Sequence, residues 1–401
     1  MPVLFYVTMI YWQIKSEKNT LSYLINKKIN YQDHYNMQNN KLVILSAFYE
    51  PYMSGAEQMV KEVLERLGDR YETTLVTGRF SRTLAKAEKR NSFYLKRVGV
   101  GHKQIDKLLY PLLAAWEVKK IKPAVTHAIM ESYAGGALVL VKYLLKDTKR
   151  ILTLQSGDLD DPKKQKNIFI QLFWKIIHRS PDIVTAISTF LAKRAESLGV
   201  SRDKIFITPN GVDFSEITES TEKITNRVVC VARLSWEKGL DFLIKAWLEV
   251  IKKVPDAELV MVGDGDKRLE IESLIKELNI ADSVVLMGNL PHRQTLIEIK
   301  KSEIFVCPSL AEGLGNVFIE AQACGVTPIG TRVGGIPDII QDGMNGVLVE
   351  PKNTEAISQS IINLLSNKEL NKRLAARGLE TVRRFDWQKI IEEIDVIYKT
   401  K

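Results

Sequence analysis

The chain has 401 residues, 45% of them apolar and 26% charged, with a formal net charge of +9. That length leaves room for two domains with cores of their own, and that balance excludes a membrane bundle and a disordered chain. Cys230, Cys307 and Cys324 are an odd set inside apolar runs without CxxC spacing, which excludes a disulfide framework or zinc cage and reads as reduced core thiols of a cytoplasmic protein.

The opening run MPVLFYVTMIYWQI is shorter than the ~18 to 20 apolar residues of a membrane span and lacks the basic lead and cleavage site of a secretory signal. A polar stretch from Lys15 to Asn40 follows, and Met37 stands just before the apolar run KLVILSAF. Residues 1–36 are therefore expected to be an upstream extension without a packed role, with the natural start at Met37. The charge balances of residues 1–36, 37–213 and 214–401 are +2, +11 and −4. The first half is the basic one, which suits a phosphorylated ligand, an anionic membrane surface or nucleic acid.

From Lys41 strand-length apolar runs alternate with longer helical patterns: KLVILSA, EQMVKEVLERL and ETTLVTG, and after Arg227 VARL, LIKAWLEVIKKV and ELVMVGDG. Strands buried on both faces with helical crossovers predict an α/β fold with doubly wound parallel sheets. One such domain spans 37–213 and a second 227–384, joined by the polar linker FSEITESTEKITN over 214–226. The closing segment 385–401 contains an amphipathic helix, Phe385 to Lys399, with Asp386 as its N-cap. In the first half, KKQKNIFIQLFWKIIHR carries an apolar helical stripe, Ile168, Phe169, Leu172, Phe173, Ile176 and Ile177. The stripe reads as core; its basic flanks, with the basic run from Arg79 to Lys107, suit peripheral membrane contact.

Ligands of open α/β sheets bind beyond the carboxyl ends of the strands, so loops that follow strands are the informative ones. VGDGD, with Gly263 and Gly265, is a fragment of a dinucleotide fingerprint and reads as a tight strand-to-helix turn. In RLSWEKG, Arg233 and Lys238 can both reach one diphosphate, or form a solvated pair with Glu237. In EGLGNVFIEAQACG, Glu312 and Glu320 have no basic neighbour in sequence. Gly313 and Gly315 put Glu312 in a turn, and the helix is predicted from near Asn316 to Cys324, ended by Gly325. Its N-terminus offers free N–H groups to an anion, with a carboxylate on either side to accept hydroxyls. A ligand with hydroxyls, a diphosphate and more hydroxyls is a sugar nucleotide.

From roughly Lys41 to Tyr398 the chain resembles the retaining glycosyltransferases of the GT-B fold, family 4. The resemblance rests on SGAEQMV, TPNGVD, VARLSWEKG, LVMVGDG and CPSLAEGLGNVFIEAQACGVTPIGTRVGGIPDII followed by DGMNGVLV. It implies two Rossmann-like domains facing a cleft. It also implies that Glu312 is the catalytic donor-sugar glutamate, with the Gly313, Leu314, Gly315 and Asn316 backbone around sugar and phosphates. Glu320 would bind the ribose hydroxyls, Arg233 and Lys238 the diphosphate, and Gly55 would let backbone approach the leaving phosphate. No metal and no cofactor is implied beyond the nucleotide-sugar donor. The acceptor would be a glycan or lipid-linked hydroxyl, attacking the face from which the diphosphate leaves.

The first lobe departs from the family pattern: Ile129 and Gln155 stand where many relatives have histidine. His127 is thus the candidate for touching the transferred sugar or acceptor, ahead of Glu131 and Asp158. The resulting expectation is a hexosyltransferase of cell-surface polysaccharide or lipid-linked glycan synthesis, cytoplasmic or peripheral at the inner face of the membrane. A sugar-nucleotide epimerase of the same architecture and an inactive glycan- or membrane-binding homologue are the alternatives. An incomplete glycine fingerprint argues against a nicotinamide oxidoreductase, and nucleic-acid binding has only charge in its favour.

Overall fold

A computed structural model describes residues 39–53, 55–67, 70–155, 168–217 and 221–400, those at 168 and 169 by their backbone. The segment 1–36, Asp158 and the basic run 163–166 lie outside the described residues.

The first lobe is built on β1 (Lys41–Leu45), β2 (Glu72–Gly78), β3 (Ala87–Lys89), β4 (Tyr94–Val98), β5 (Val125–Ile129), β6 (Lys149–Leu154), β7 (Ile183–Ala186) and β8 (Ile205–Ile207). These pair in the order β3-β4-β2-β1-β5-β6-β7-β8. All neighbours run parallel except β3, a short charged strand that closes the edge antiparallel to β4. That edge strand was not foreseen: AEK has no apolar pattern, and charge on an edge discourages further pairing. The crossovers are α1 (Gly55–Leu67), α2 (Lys103–Ile121), α3 (Tyr133–Leu144), α4 (Ile168–Arg179) and α5 (Thr189–Ser197).

The second lobe has β9 (Arg227–Val231), β10 (Glu258–Val262), β11 (Val284–Gly288), β12 (Ile304–Val306), β13 (Thr327–Thr331) and β14 (Val347–Val349), all parallel in the order β11-β10-β9-β12-β13-β14. Its helices are α6 (Leu240–Lys253), α7 (Arg268–Glu277), α8 (His292–Lys300), α9 (Asn316–Ala323), α10 (Ile336–Ile339), α11 (Thr354–Ser366) and α12 (Lys368–Thr381). Along β9, Val229 packs into one apolar layer while Val228 and Cys230 pack into another, so both faces of the sheet are covered. That is why these strands read as unbroken apolar runs.

The chain returns to the first lobe through α13 (Trp387–Lys399), whose N-terminus is capped by Asp386 accepting from the Gln388 N–H at 2.9 Å. Asp395 accepts from Tyr71 at 2.7 Å and pairs with Arg70 at 3.0 Å. Lys149 donates to the carbonyls of Ile397 and Thr400 and to the Thr400 hydroxyl.

This crossover accounts for His127. The ring lies in the middle of β5, 1% exposed, between Tyr398 of α13 (2.6 Å from Nδ1) and Thr153 of β6 (2.5 Å from Nε2). It does not line the cleft described below. Met130, just past the carboxyl end of the strand, is three residues further on, about 10 Å away at strand rise. The expectation of a sugar-facing histidine is therefore corrected to a buried ring that joins the sheet to α13. Burial lowers its pKa to about 3, so the folded protein refuses a proton that the unfolded chain takes up near pH 6.5. The neutral ring stabilises the fold above that pH, and the contribution is lost as pH falls toward the folded value. A melting-temperature series from pH 7 to pH 4 should fall with pH, and His127→Gln should flatten the slope; equal slopes would contradict a buried neutral histidine.

Candidate functional site

In each sheet the winding reverses at one point, between β1 and β5 in the first and between β9 and β12 in the second. Crevices form at such reversals because successive crossovers leave on opposite faces. Here both open into one cavity of about 560 Å³ between the lobes, the size of an ordinary small-molecule site. The first lobe contributes Gly55, Met130, Gln155 and Asn210, and the second Arg233, Trp236, Lys238 and the run Glu312 to Phe318. A second cavity of about 670 Å³ adjoins it through Val231, Ala232, Arg233 and Val317 and extends over Gly263, Asp264 and Gly265 to Asn289 and Leu290. The VGDGD loop is thus a tight turn, with Gly263 at φ +130° against the Ala232 carbonyl, and also a wall of this second cavity.

Two helix N-termini meet in the first cavity. Gly55 opens α1 and Asn316 opens α9, and a Cβ on Gly55 would lie 3.6 Å from the Asn316 side-chain amide. Each end carries free N–H groups and a partial positive charge. The approach depends on glycine: Gly315 has φ +97°, and a Cβ on Gly334 (φ +54°) would lie 1.7 Å from the Glu312 carbonyl oxygen. Arg233 is exposed, lines both cavities and has no side-chain partner among the described residues.

Glu312, without a basic neighbour in sequence, has one in space: Lys238 donates to Oε2 at 2.5 Å. Burial works against the Lys238 charge, but Glu312, helped by Cys307 and Glu237, holds its pKa above the ordinary value. Lys238 is thus neutralised by Glu312, which leaves Arg233, among the described residues of the cavity lining, as the cation without a counter-ion. Glu320 lies one turn into α9, half-buried and outside both cavity linings, and its carboxyl has no hydrogen-bond partner among the described residues. Burial is the main cause that raises it to about 7, opposed by His292 and reinforced by Glu216. Such a carboxylate is short of donors. Glu131 is buried and takes a long hydrogen bond, 3.5 Å, from the Gln155 N–H, so it supports the cavity wall from behind.

Two family models match this chain: Glycosyltransferase Family 4 over residues 53–216 and Glycosyl transferases group 1 over residues 214–381. The chain belongs to the family 4, group 1 glycosyltransferases and has their GT-B fold. An uncharacterized glycosyltransferase of Methanocaldococcus jannaschii is 28% identical over 89% of this chain and 97% of its own. A phosphatidylinositol N-acetylglucosaminyltransferase subunit from Arabidopsis thaliana is 29% identical over 50% of this chain; the match covers 45% of that relative, so the chain spans about half its length. The structure of Anabaena HepE in complex with UDP and glucose superposes with a TM-score of 0.74 at 17% identity, covering 90% of this chain and 100% of that one, a likeness of fold.

The contacts of several residues of this transferase cleft were not legible in the sequence. Met130, at φ +77°, follows Ile129 at the carboxyl end of β5 and lines the cavity. Gln155 and Asn210 exchange amide hydrogen bonds at 3.1 Å each way, and Asn210 donates onward to Asn316 at 3.2 Å, linking the first lobe to the N-terminus of α9. The lobes also meet outside the cavity. Ser188 donates to the Gly313 carbonyl at 2.6 Å, and Asp338 accepts from the Thr189 N–H (2.6 Å) and hydroxyl (2.5 Å). Asp338 of the second lobe therefore caps α5 of the first, where its charge is favoured by the helix dipole. No local pattern announces such a pair, because its members are 149 residues apart. Removing it with Asp338→Ala should open the cleft, raising the radius of gyration in solution scattering and, if the cleft takes a nucleotide, weakening its binding by about three- to tenfold. An unchanged radius and affinity would contradict the latch.

Proposed function

We propose that the protein transfers a sugar, with retention at the anomeric carbon, from a nucleoside diphosphate sugar to the hydroxyl of a lipid-linked or glycan acceptor. The observation that carries this reading is the convergence of two helix N-termini and an uncompensated arginine on one cavity. An anion of at least two charges is the ligand that such a site favours. On this reading the diphosphate lies between Gly55 and the Gly313 to Asn316 turn, met by Arg233 and Lys238 without a metal ion or cofactor. The nucleoside lies toward the second cavity, and its ribose hydroxyls donate to Glu320, the carboxylate that lacks donors. Glu312, held by Lys238, faces the sugar. Trp236, 54% exposed on the cavity rim, offers an aromatic face to a pyranose.

The acceptor oxygen forms its bond to the anomeric carbon as the bond to the diphosphate oxygen breaks, and the hydroxyl proton passes to the departing phosphate. Positive charge develops on the sugar ring, and Glu312 stabilises it in a cleft closed to water. Support for a lipid-linked acceptor comes from the phosphatidylinositol-directed relative and from the basic first lobe, which suits an anionic membrane surface. Among the described residues no helix is long and apolar enough to cross a membrane; the proposed placement is peripheral, at the inner face.

A panel of nucleotide sugars read by thermal shift tests the donor class, since a bound donor raises the melting temperature in proportion to its affinity. At least one nucleoside diphosphate sugar should stabilise the parent, and Glu312→Gln should keep that stabilisation while losing turnover by about 100-fold or more. Transfer at the parent rate in the variant, or a panel without effect, would overturn the reading.

A further inference from the structure

The helix α2 presents its apolar side to solvent. Ile105, Leu108, Leu112 and Trp116 are 45%, 76%, 59% and 52% exposed, and they fall within an arc of about 80° on one helix face. A surface helix ordinarily turns such a stripe inward. The buried face of α2 is already filled, by Tyr110, Ala114, Ala115 and Val118, so the outer stripe is additional to the core.

The charges are sorted in the same sense. Both acidic residues of α2 are withdrawn from the surface. Asp106 is fully buried and accepts from the backbone N–H groups of Phe80, Val100, Gly101 and His102. Glu117 is buried and paired with Lys96 and Lys120. Exposed charge on the helix is basic only, with Lys103 at the start and Lys119, Lys120 and Lys122 around the end. The neighbouring α4 adds exposed Leu172, Phe173 and Ile176 with Lys175 and Arg179. The two helices flank the same spot on α3, because a Cβ on Gly136 would be 3.6 Å from Pro111 of α2 and 3.7 Å from Phe173 of α4. The stripe of α4 expected in the core is thus largely outside it; of its described side chains only Ile177 is buried.

We propose that the exposed faces of α2 and α4 seat the first lobe on an anionic lipid bilayer, the apolar ridge entering the headgroup boundary between lysines that meet lipid phosphates. A second copy of the chain is the poorer occupant, since a two-fold contact would press these lysines against their own copies. The ridge also leads to the cleft. At the first turn of α2, Lys103 lies 5.3 Å from the centre of the Tyr52 ring and Lys107 5.6 Å from that of Phe48, in the loop between β1 and Gly55. Phe48 packs edge-on to Tyr133, which follows Met130 of the cavity wall by three residues. A lipid-anchored acceptor with an anionic headgroup would meet aromatic faces and ammonium groups between bilayer and cavity; this part rests on the transfer reading above.

The test is flotation of the full chain with phosphatidylcholine vesicles, with and without phosphatidylglycerol, at low and high salt. The parent should float more than about tenfold better with the anionic vesicles, less so at high salt, and Leu108→Glu/Leu112→Glu should lose that binding at an unchanged melting temperature. Equal flotation on both vesicles, or a variant that floats like the parent, overturns the proposal. So does sedimentation showing a parent dimer that the variant converts to monomer. Donor-induced stabilisation is read on the same samples: its absence from a parent that floats defeats the transfer reading and leaves the bilayer seat standing, and flotation lost with stabilisation kept does the reverse.

Discussion

Two helix N-termini aimed at one another are electrostatically costly, and the lobes of this protein are arranged around that cost. The partial positive charges of α1 and α9 meet between Gly55 and Asn316, with Arg233 beside them and Lys238 nearby. Glu312 balances one of the cations. The remainder is a surplus that an anion relieves, so on the proposed reading closing the cleft and binding a diphosphate would favour each other. Asp338 on α5, Ser188 on Gly313 and the amide chain from Gln155 to Asn316 hold the lobes together at the rim. The return of α13 to the first lobe anchors the far side, through Asp395, Tyr398 and Lys149.

The features legible in sequence were the local ones. Strands such as KLVIL and ELVMV are apolar after a charged first residue because both faces are covered, and that pattern gave two parallel sheets. The turn at Gly313 to Gly315 and the start of α9 at Asn316 followed from glycine placement alone, and Gly315 and Gly325 do have positive φ. The same pattern hid the orientation of His127. A strand buried on both faces has no polar side against which to set a residue, so nothing local distinguished a ring aimed at Tyr398 from one aimed at the cleft. Partners distant in the chain were equally hidden. Lys238 and Glu312 were both singled out, yet their ion pair joins loops 74 residues apart and appears only when β9 and β12 lie side by side.

Apolar periodicity likewise identifies a helix face without saying what covers it. The stripes on α2 and α4 have the spacing of core positions, and of their described side chains only Ile177 joins the core of the first lobe. Their exposure, together with the burial of Asp106 and Glu117, gives the lobe a surface that is apolar and basic. The second lobe is acidic and carries the loops that line both cavities; on the proposed reading the two halves would divide the work between a soluble donor and an anchored acceptor.

The central claim is that the cleft is built for a diphosphate held by helix ends and Arg233. Calorimetric titration of a nucleoside diphosphate and the matching monophosphate, into the parent and into Arg233→Ala, tests it most directly. The account predicts that the parent prefers the diphosphate by more than about tenfold and that the variant loses most of this preference. A preference of the same size in both proteins would contradict it.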